Sequence, residues 1–143
     1  MATLSIKNLE TTDLLGLKTQ NTLELIGRVE AGLPFSAFES LQRAIGLPAS
    51  QLAATIVLPA STLARKKKSG QLSSAQSERL VRLARLTEAA IELFEGDTDK
   101  ARQWMKAPRA VLGDKTPLEM ASTELGAREV ENLILRLEDG VFS

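Results

Sequence analysis

The chain has 143 residues, 43% of them apolar, which suffices for one compact domain or two small ones packed together. It holds no Cys, no His and no Tyr, which excludes thiol catalysis, histidine acid–base chemistry and nearly every zinc or iron site, so no enzyme, no metal and no cofactor are expected. Its 18 basic and 18 acidic residues cancel, yet residues 61–90 hold 7 basic against 2 acidic side chains and residues 91–143 hold 7 against 11, a basic centre beside an acidic end that suggests two different partners.

Strand patterning is confined to a weak alternation in Leu4-Ser-Ile-Lys-Asn-Leu9, whereas helix signals recur, so the fold class is all-α. Residues 1–18 lack a sustained period and read as a flexible or partner-ordered N-terminal arm. From Thr19 to Ala31 the apolar Leu23, Leu25, Ile26 and Val29 share a helical face that Gly32 ends. Ser36 and Glu39 form a predicted capping box for a second helix, with Phe38, Leu41 and Ile45 as its buried stripe and Gly46 as its stop. Next come two nearly identical words, Leu47-Pro-Ala-Ser-Gln-Leu-Ala53 and Leu58-Pro-Ala-Ser-Thr-Leu-Ala64. An interior proline breaks a helix but suits its first turn, so each word starts its own short helix with a tight turn between, the outline of a helix-turn-helix. Ser73 and Gln76 cap the longest helix, which runs to about Glu95 with Leu80, Leu83, Leu86, Ala90, Ile91 and Phe94 inward and Arg79, Arg82 and Arg85 on another face. A helix from about Asp97 carries Trp104 and Met105 up to Pro108; Thr116-Pro-Leu-Glu119 opens the next; and a last one, about Ala127 to Glu138, buries Val130, Leu133, Ile134 and Leu137 before Gly140. After the arm, the chain divides into units 19–72 and 73–143.

In a helix-turn-helix the second helix enters the major groove with its leading residues at base edges, while nearby cations meet phosphates. On that pattern Ser50, Gln51, Ser61, Thr62 and Arg65 are candidate DNA-reading residues, Lys66, Lys67 and Lys68 are candidate phosphate contacts, and Leu52, Ile56 and Leu63 lock the two helices to the body. The competing reading of the cations is a solvated face.

Gln51-Leu-Ala53, Ile56, Ser61-Thr62-Leu63 and Arg65 resemble the helix-turn-helix of the Xre/Cro repressor class. Val57 stands where that class usually has the turn glycine, and because β-branched residues disfavour positive φ, a different turn conformation is expected. Further on, Trp104-Met-Lys-Ala-Pro-Arg-Ala-Val-Leu-Gly113, Lys115-Thr-Pro-Leu-Glu119, Gly126, Val130-Glu-Asn-Leu133 and Leu137-Glu-Asp-Gly140 look like the toxin-binding domain of Xre/MbcA/ParS-type antitoxins. The likeness spans about residues 20–143. It implies an N-terminal helix-turn-helix bundle packed on a C-terminal helical toxin-binding domain. It also implies an antitoxin that occludes the active site of a cognate RES-domain, NAD-degrading toxin and represses its own operon through operator DNA. The toxin-binding residues it implies are Trp104, Arg109, Leu112, Gly113, Pro117, Glu131, Leu135 and Glu138, with the tail Val141, Phe142 and Ser143. Trp104, Pro108, Leu112, Gly113 and Pro117 would build a stiff crossover that lowers the entropy lost on docking. Trp104 has a structural role first, and Val141 and Phe142 either enter the toxin or fold back on the core.

The alternative is a one-component transcription regulator whose C-terminal bundle senses a small molecule. A carboxylate-only enzyme built on Asp97 and Asp99 or Glu92 and Glu95 is explained more cheaply by helix capping and solvation. A homodimer is expected because helix-turn-helix proteins read two half-sites, with a higher-order complex when toxin is bound. With no apolar run near the roughly 20 residues a membrane span needs and no leader-like N-terminus, a cytoplasmic location away from membranes is expected.

Overall fold

The computed structural model describes residues 10–142. Among these the chain forms nine α-helices and one 3₁₀ turn: α1 (Thr11–Leu14), α2 (Thr22–Ala31), α3 (Phe35–Ile45), α4 (Ala49–Thr55), α5 (Ala60–Ser69), α6 (Ser74–Leu93), α7 (Thr98–Met105), the 3₁₀ turn (Ala110–Leu112), α8 (Pro117–Met120) and α9 (Glu124–Phe142). The fold is all-α, a helix-turn-helix unit followed by a C-terminal helical unit.

The axis of the molecule is α6. Its 20 residues extend about 30 Å, long enough to touch both halves. The Ser73–Gln76 capping box starts it, and Leu80, Leu83, Ala84, Leu86, Ala90 and Ile91 are buried along it. α1, α2 and α3 pack on it from the N-terminal side, α7 and α9 from the C-terminal side, and one continuous cluster from Leu14 to Ile134 results. The helix-turn-helix unit closes on itself at the root of α3: Phe35 N–H donates to Gly70 O at 2.8 Å, Leu72 N–H to Leu33 O at 2.9 Å, and the buried Ser77 hydroxyl accepts from Leu33 N–H at 2.8 Å. Gly32, at φ 97, lets this crossing happen, because a Cβ there would stand 2.4 Å from Leu72 O.

Arginines tie helix ends together. Arg82 donates to Ala121 O and Ser122 O at 3.3 and 3.2 Å, holding the end of α8 to α6. From α7, Arg102 donates to Ala44 O at 2.8 Å and the following Lys106 to Gly46 O at 2.9 Å, so both cations sit on the orphan carbonyls and negative dipole end of α3.

Several sequence expectations change. Residues 1–9 of the proposed arm lie outside the described residues, but residues 10–18 are no arm: α1 buries Leu14, and Leu15 and Leu17 follow it into the core. An apolar Leu-Leu-Gly-Leu run too short for a period was still long enough to fill a gap against α3 and α6. Ser36 is not a cap; Pro34 holds the N-cap position and α3 begins at Phe35, whose ring stacks on Phe38 at 4.9 Å. On α2 no residue is buried: Leu25 and Val29 lean on the core, while Leu23 and Ile26 stay 79% and 48% exposed. At the C-terminus, α9 starts three residues earlier than expected and runs through Gly140, and Leu137, expected inside, is 38% exposed.

Candidate functional site

The two repeated words fold as two copies of one unit. Each is preceded by a residue in left-handed backbone, Gly46 at φ 72 and Val57 at φ 58, then a buried Leu, then a proline at the N-cap of the next helix, Pro48 with φ −63 and Pro59 with φ −59. Around Val57 the hydrogen bonds are those of a Schellman ending: Leu58 N–H reaches Ala53 O at 2.8 Å and Val57 N–H reaches Ala54 O at 3.1 Å. The expected departure in turn conformation does not occur. Valine takes the backbone that glycine takes at position 46, and the strain is held by the buried Leu52, Ile56 and Leu58 on either side. Arg79 of α6 adds a long contact to Ile56 O, 3.5 Å.

This turn sets α5 against α4. Ser50 and Gln51 are exposed at the start of α4, and Ser61, Arg65 and Lys68 follow one another at i, i+4 and i+7 on the exposed side of α5, with Leu63 turned to the core. Thr62 is half-buried and its hydroxyl donates to Pro59 O at 2.8 Å, which spends it locally. The lysine run is split: Lys68 shares the face of Ser61 and Arg65, Lys66 leans half-buried on the body, and Lys67 lies at a small crevice beside Phe38, Glu39 and Gln42 of α3. All eight nominated residues belong to α4 or α5.

In the C-terminal half, Trp104 is buried, edge-on to Phe94 at 6.5 Å, with the Arg109 guanidinium 4.9 Å over its ring. Arg109 roots a tight hairpin: its N–H donates to Lys115 O at 3.1 Å and its carbonyl accepts from Asp114 N–H at 2.9 Å. Gly113 and Asp114, at φ 68 and 65, turn the chain, and the buried Leu112 anchors it. The tip shows Val111, 64% exposed, with Gly113, Asp114 and Lys115. After Thr116 caps α8, Gly126 lets α9 pass so close that a Cβ would stand 2.0 Å from Met120 O.

The nominated docking residues therefore separate. Trp104, Leu112 and Pro117 are buried and shape the hairpin from beneath, while Gly113 and Leu135 are exposed, Leu135 by 59%. Arg109, Glu131 and Glu138 are half-buried. Val141 and Phe142 fall in the last turn of α9, and Ser143 lies outside the described residues. The inference from sequence missed Val111 and Leu125, both large, apolar and exposed; Leu125 lies beside the Val130, Leu133 and Ile134 stripe rather than on it, a signal that a helix start placed at Ala127 left out. Where α9 passes α6, burial together with Glu88 and Glu138 pushes the Glu92 carboxyl above its ordinary value of 4.5. Between α2, α6 and α9 runs an open groove of about 1270 Å³, walled by Leu25, Ile26, Val29, Val81 and Ala89 and edged with charge. Among the described residues no cluster of carboxylates is placed to hold a metal ion, and no helix is long and apolar enough to cross a membrane.

Comparison with known proteins divides the chain in the same way as these two surfaces. Residues 24–85 match the antitoxin Xre-like helix-turn-helix domain, and residues 89–140 match the antitoxin Xre/MbcA/ParS C-terminal toxin-binding domain. Antitoxin Xre of Yersinia enterocolitica is 34% identical over 130 residues, covering 90% of this chain and 88% of that one. Antitoxin Xre of Photorhabdus laumondii is 47% identical over 74 residues, 52% of this chain and 50% of its own, and that of Pseudomonas putida is 32% identical over 85 residues, 59% and 53%. With a helix-turn-helix domain that carries α4 and α5 and a toxin-binding domain that runs from the end of α6 into α9, the chain belongs to the Xre antitoxin family.

Proposed function

We propose that the chain is a non-enzymatic antitoxin of the cytoplasm that neutralises a cognate RES-domain, NAD-degrading toxin by covering its active site, and that it represses its own operon by binding operator DNA as a homodimer. The observation that carries this reading is the presence of two separate exposed surfaces, one on α5 and one on the hairpin and α9. The face Ser61, Arg65 and Lys68 on α5 offers two cations and a hydroxyl with no acidic neighbour among them, as a groove reader requires. The hairpin tip at Val111 and the exposed Leu135 and Leu137 of α9 offer apolar groups on a hydrogen-bonded turn and a helix, supports that lose little entropy on docking.

Neutralisation is tested by co-expressing a RES-domain toxin from the same genome with the full chain and with a chain ending at Arg136. That truncation removes the end of α9 and keeps the buried Val130, Leu133 and Ile134, so loss of rescue with a folded protein reads docking and not collapse. Rescue that survives both the truncation and a charged residue at Val111 would refute these contact surfaces. Repression is tested by binding to the DNA upstream of the gene across a salt series; an affinity indifferent to salt would exclude the phosphate contacts assigned to α5.

A further inference from the structure

From Ser40 to Ser77 the chain carries no Asp or Glu, while Arg43, Arg65 and Lys66 to Lys68 all fall within it, so the helix-turn-helix and its approach form a stretch of one sign. The C-terminal half is acidic, yet its α7 sends a cation to that stretch: Lys106 Nζ donates to Gly46 O at 2.9 Å. Gly46 ends α3, and Leu47 and Pro48 lead from it straight into α4. Capping α3 occupies one of the three donors of the ammonium, and the other two have no partner among the described residues. Lys106 is exposed, and so is Arg43 in the last turn of α3; neither meets a carboxylate among the described residues. Arg102, by contrast, reaches Asp99 at 3.3 Å and Ala44 O at 2.8 Å and is spent within the fold.

We propose that the operator-binding face continues from the helix-turn-helix onto α7, with Lys106 and Arg43 on the phosphates of the strand that passes the start of α4. In a helix-turn-helix the first helix crosses the sugar–phosphate backbone. Here that helix is α4, whose start exposes Ser50 and Gln51. Gly46 lies four residues before Ser50, at most about 14 Å of chain, so the Lys106 ammonium stands within a few phosphates of the point where α4 meets the strand. Its hydrogen bond to Gly46 O holds it there, and a held cation loses less entropy on meeting a phosphate than a free lysine does. Contacts of this kind set register and add affinity without reading bases. The inference rests on the operator-binding reading above and adds to it a residue from the domain matched over residues 89–140, outside the helix-turn-helix match.

The experiment is binding of the full chain to two duplexes, the DNA upstream of its gene and a scrambled sequence of equal length, by fluorescence anisotropy from about 50 to about 200 mM salt. Wild type is compared with Lys106→Gln, Lys106→Arg, Arg43→Gln, Lys100→Gln and Lys68→Gln, with a thermal melt of each. Lys106→Gln lowers the slope of log affinity against log salt by about 0.9 on both duplexes, so its deficit against wild type shrinks about 3.5-fold across that range, and the preference for the upstream DNA is unchanged. Arg43→Gln does the same, and Lys106→Arg keeps the wild-type slope. Lys100 is exposed about 120° round α7 from Lys106, and Lys100→Gln leaves the slope alone. A Lys106→Gln chain that keeps the wild-type slope while Lys68→Gln lowers it leaves the operator reading standing and overturns the extension, because Lys106 is then a helix cap only. A Lys100→Gln slope that falls as far as that of Lys106→Gln also overturns it, since any surface cation would then serve. A wild type that binds neither duplex overturns the operator reading and the extension together.

Discussion

Val57→Gly should make the protein more stable. Valine at φ 58 occupies left-handed backbone, which costs an L-residue about 1–2 kcal/mol and a β-branched one about 2–3 kcal/mol. Two terms oppose the gain. Glycine costs about 0.4–1 kcal/mol in unfolded-chain entropy, and truncating a side chain that is 53% exposed loses about 0.7 kcal/mol of burial. The net is about 1 kcal/mol of stabilisation, a rise in Tm of roughly 3–4 °C for a chain of this size, best read from the urea midpoint at unchanged m-value. Gly46→Val is the mirror experiment. A Cβ at Gly46 meets Lys106 Nζ at 3.6 Å and Arg102 Cδ at 3.9 Å, ordinary contacts, so the valine should cost about 2 kcal/mol through backbone strain alone. Val57→Asn should fall between Val57→Gly and wild type, because Asn tolerates this backbone better than a branched residue. A Val57→Gly midpoint at or below wild type would show that the valine side chain makes contacts worth more than the strain and would refute the reasoning.

Gly126→Ala should cost about 3 kcal/mol or unfold the C-terminal half, since the methyl meets backbone and not a movable side chain; a thermal melt within a degree of wild type would contradict the α8–α9 approach. On DNA, Lys68→Ala should flatten the slope of log affinity against log salt by about 1, and Arg65→Ala should cost about 1–3 kcal/mol of sequence discrimination. Lys66→Ala and Lys67→Ala should do less, and equal effects from all four would mean that the whole run follows the phosphates. Glu92 carries a raised carboxyl, so its folded form holds a proton more tightly than its unfolded form; the stability it lends is present below about pH 4.5 and is lost as pH rises through the folded value. Glu92→Gln should therefore stabilise at neutral pH and match wild type in acid, and a gap that persists in acid would assign the effect to packing. Finally, Trp104→Ala should cost about 3–5 kcal/mol in a urea melt, whereas Val111→Asp should leave the melt unchanged and reduce toxin rescue; the reverse pattern would exchange their roles.

Much of this architecture was legible because its signals are local. Ser73–Gln76 and Thr116–Glu119 announce helix starts by hydrogen bonds within four residues, and Gly32 and Gly46 announce stops by a backbone that few other residues adopt. The repeated Leu-Pro-Ala-Ser words specify a turn, an N-cap and a new helix without help from the rest of the chain. The family motifs likewise lie in short runs. What the sequence left open was which side of each element meets water. Leu23 and Ile26 look as apolar as Leu25 and Val29, and only the placement of α2 on the flank of α6 decides that the first pair stays outside. Arg79 and Arg82 read as a second, outward face of their helix, yet each reaches a carbonyl far along the chain that no sequence window contains. Trp104 and Val111 sit in one motif, and the hairpin buries the first beneath Arg109 and lifts the second to the tip. By itself the sequence determined the elements, because caps, prolines and glycines act over one turn; only the tertiary structure decided the faces. Exposure depends on what comes from elsewhere to cover a side chain, and at Val57 the packing of Leu52, Ile56 and Leu58 holds a backbone that valine alone would refuse.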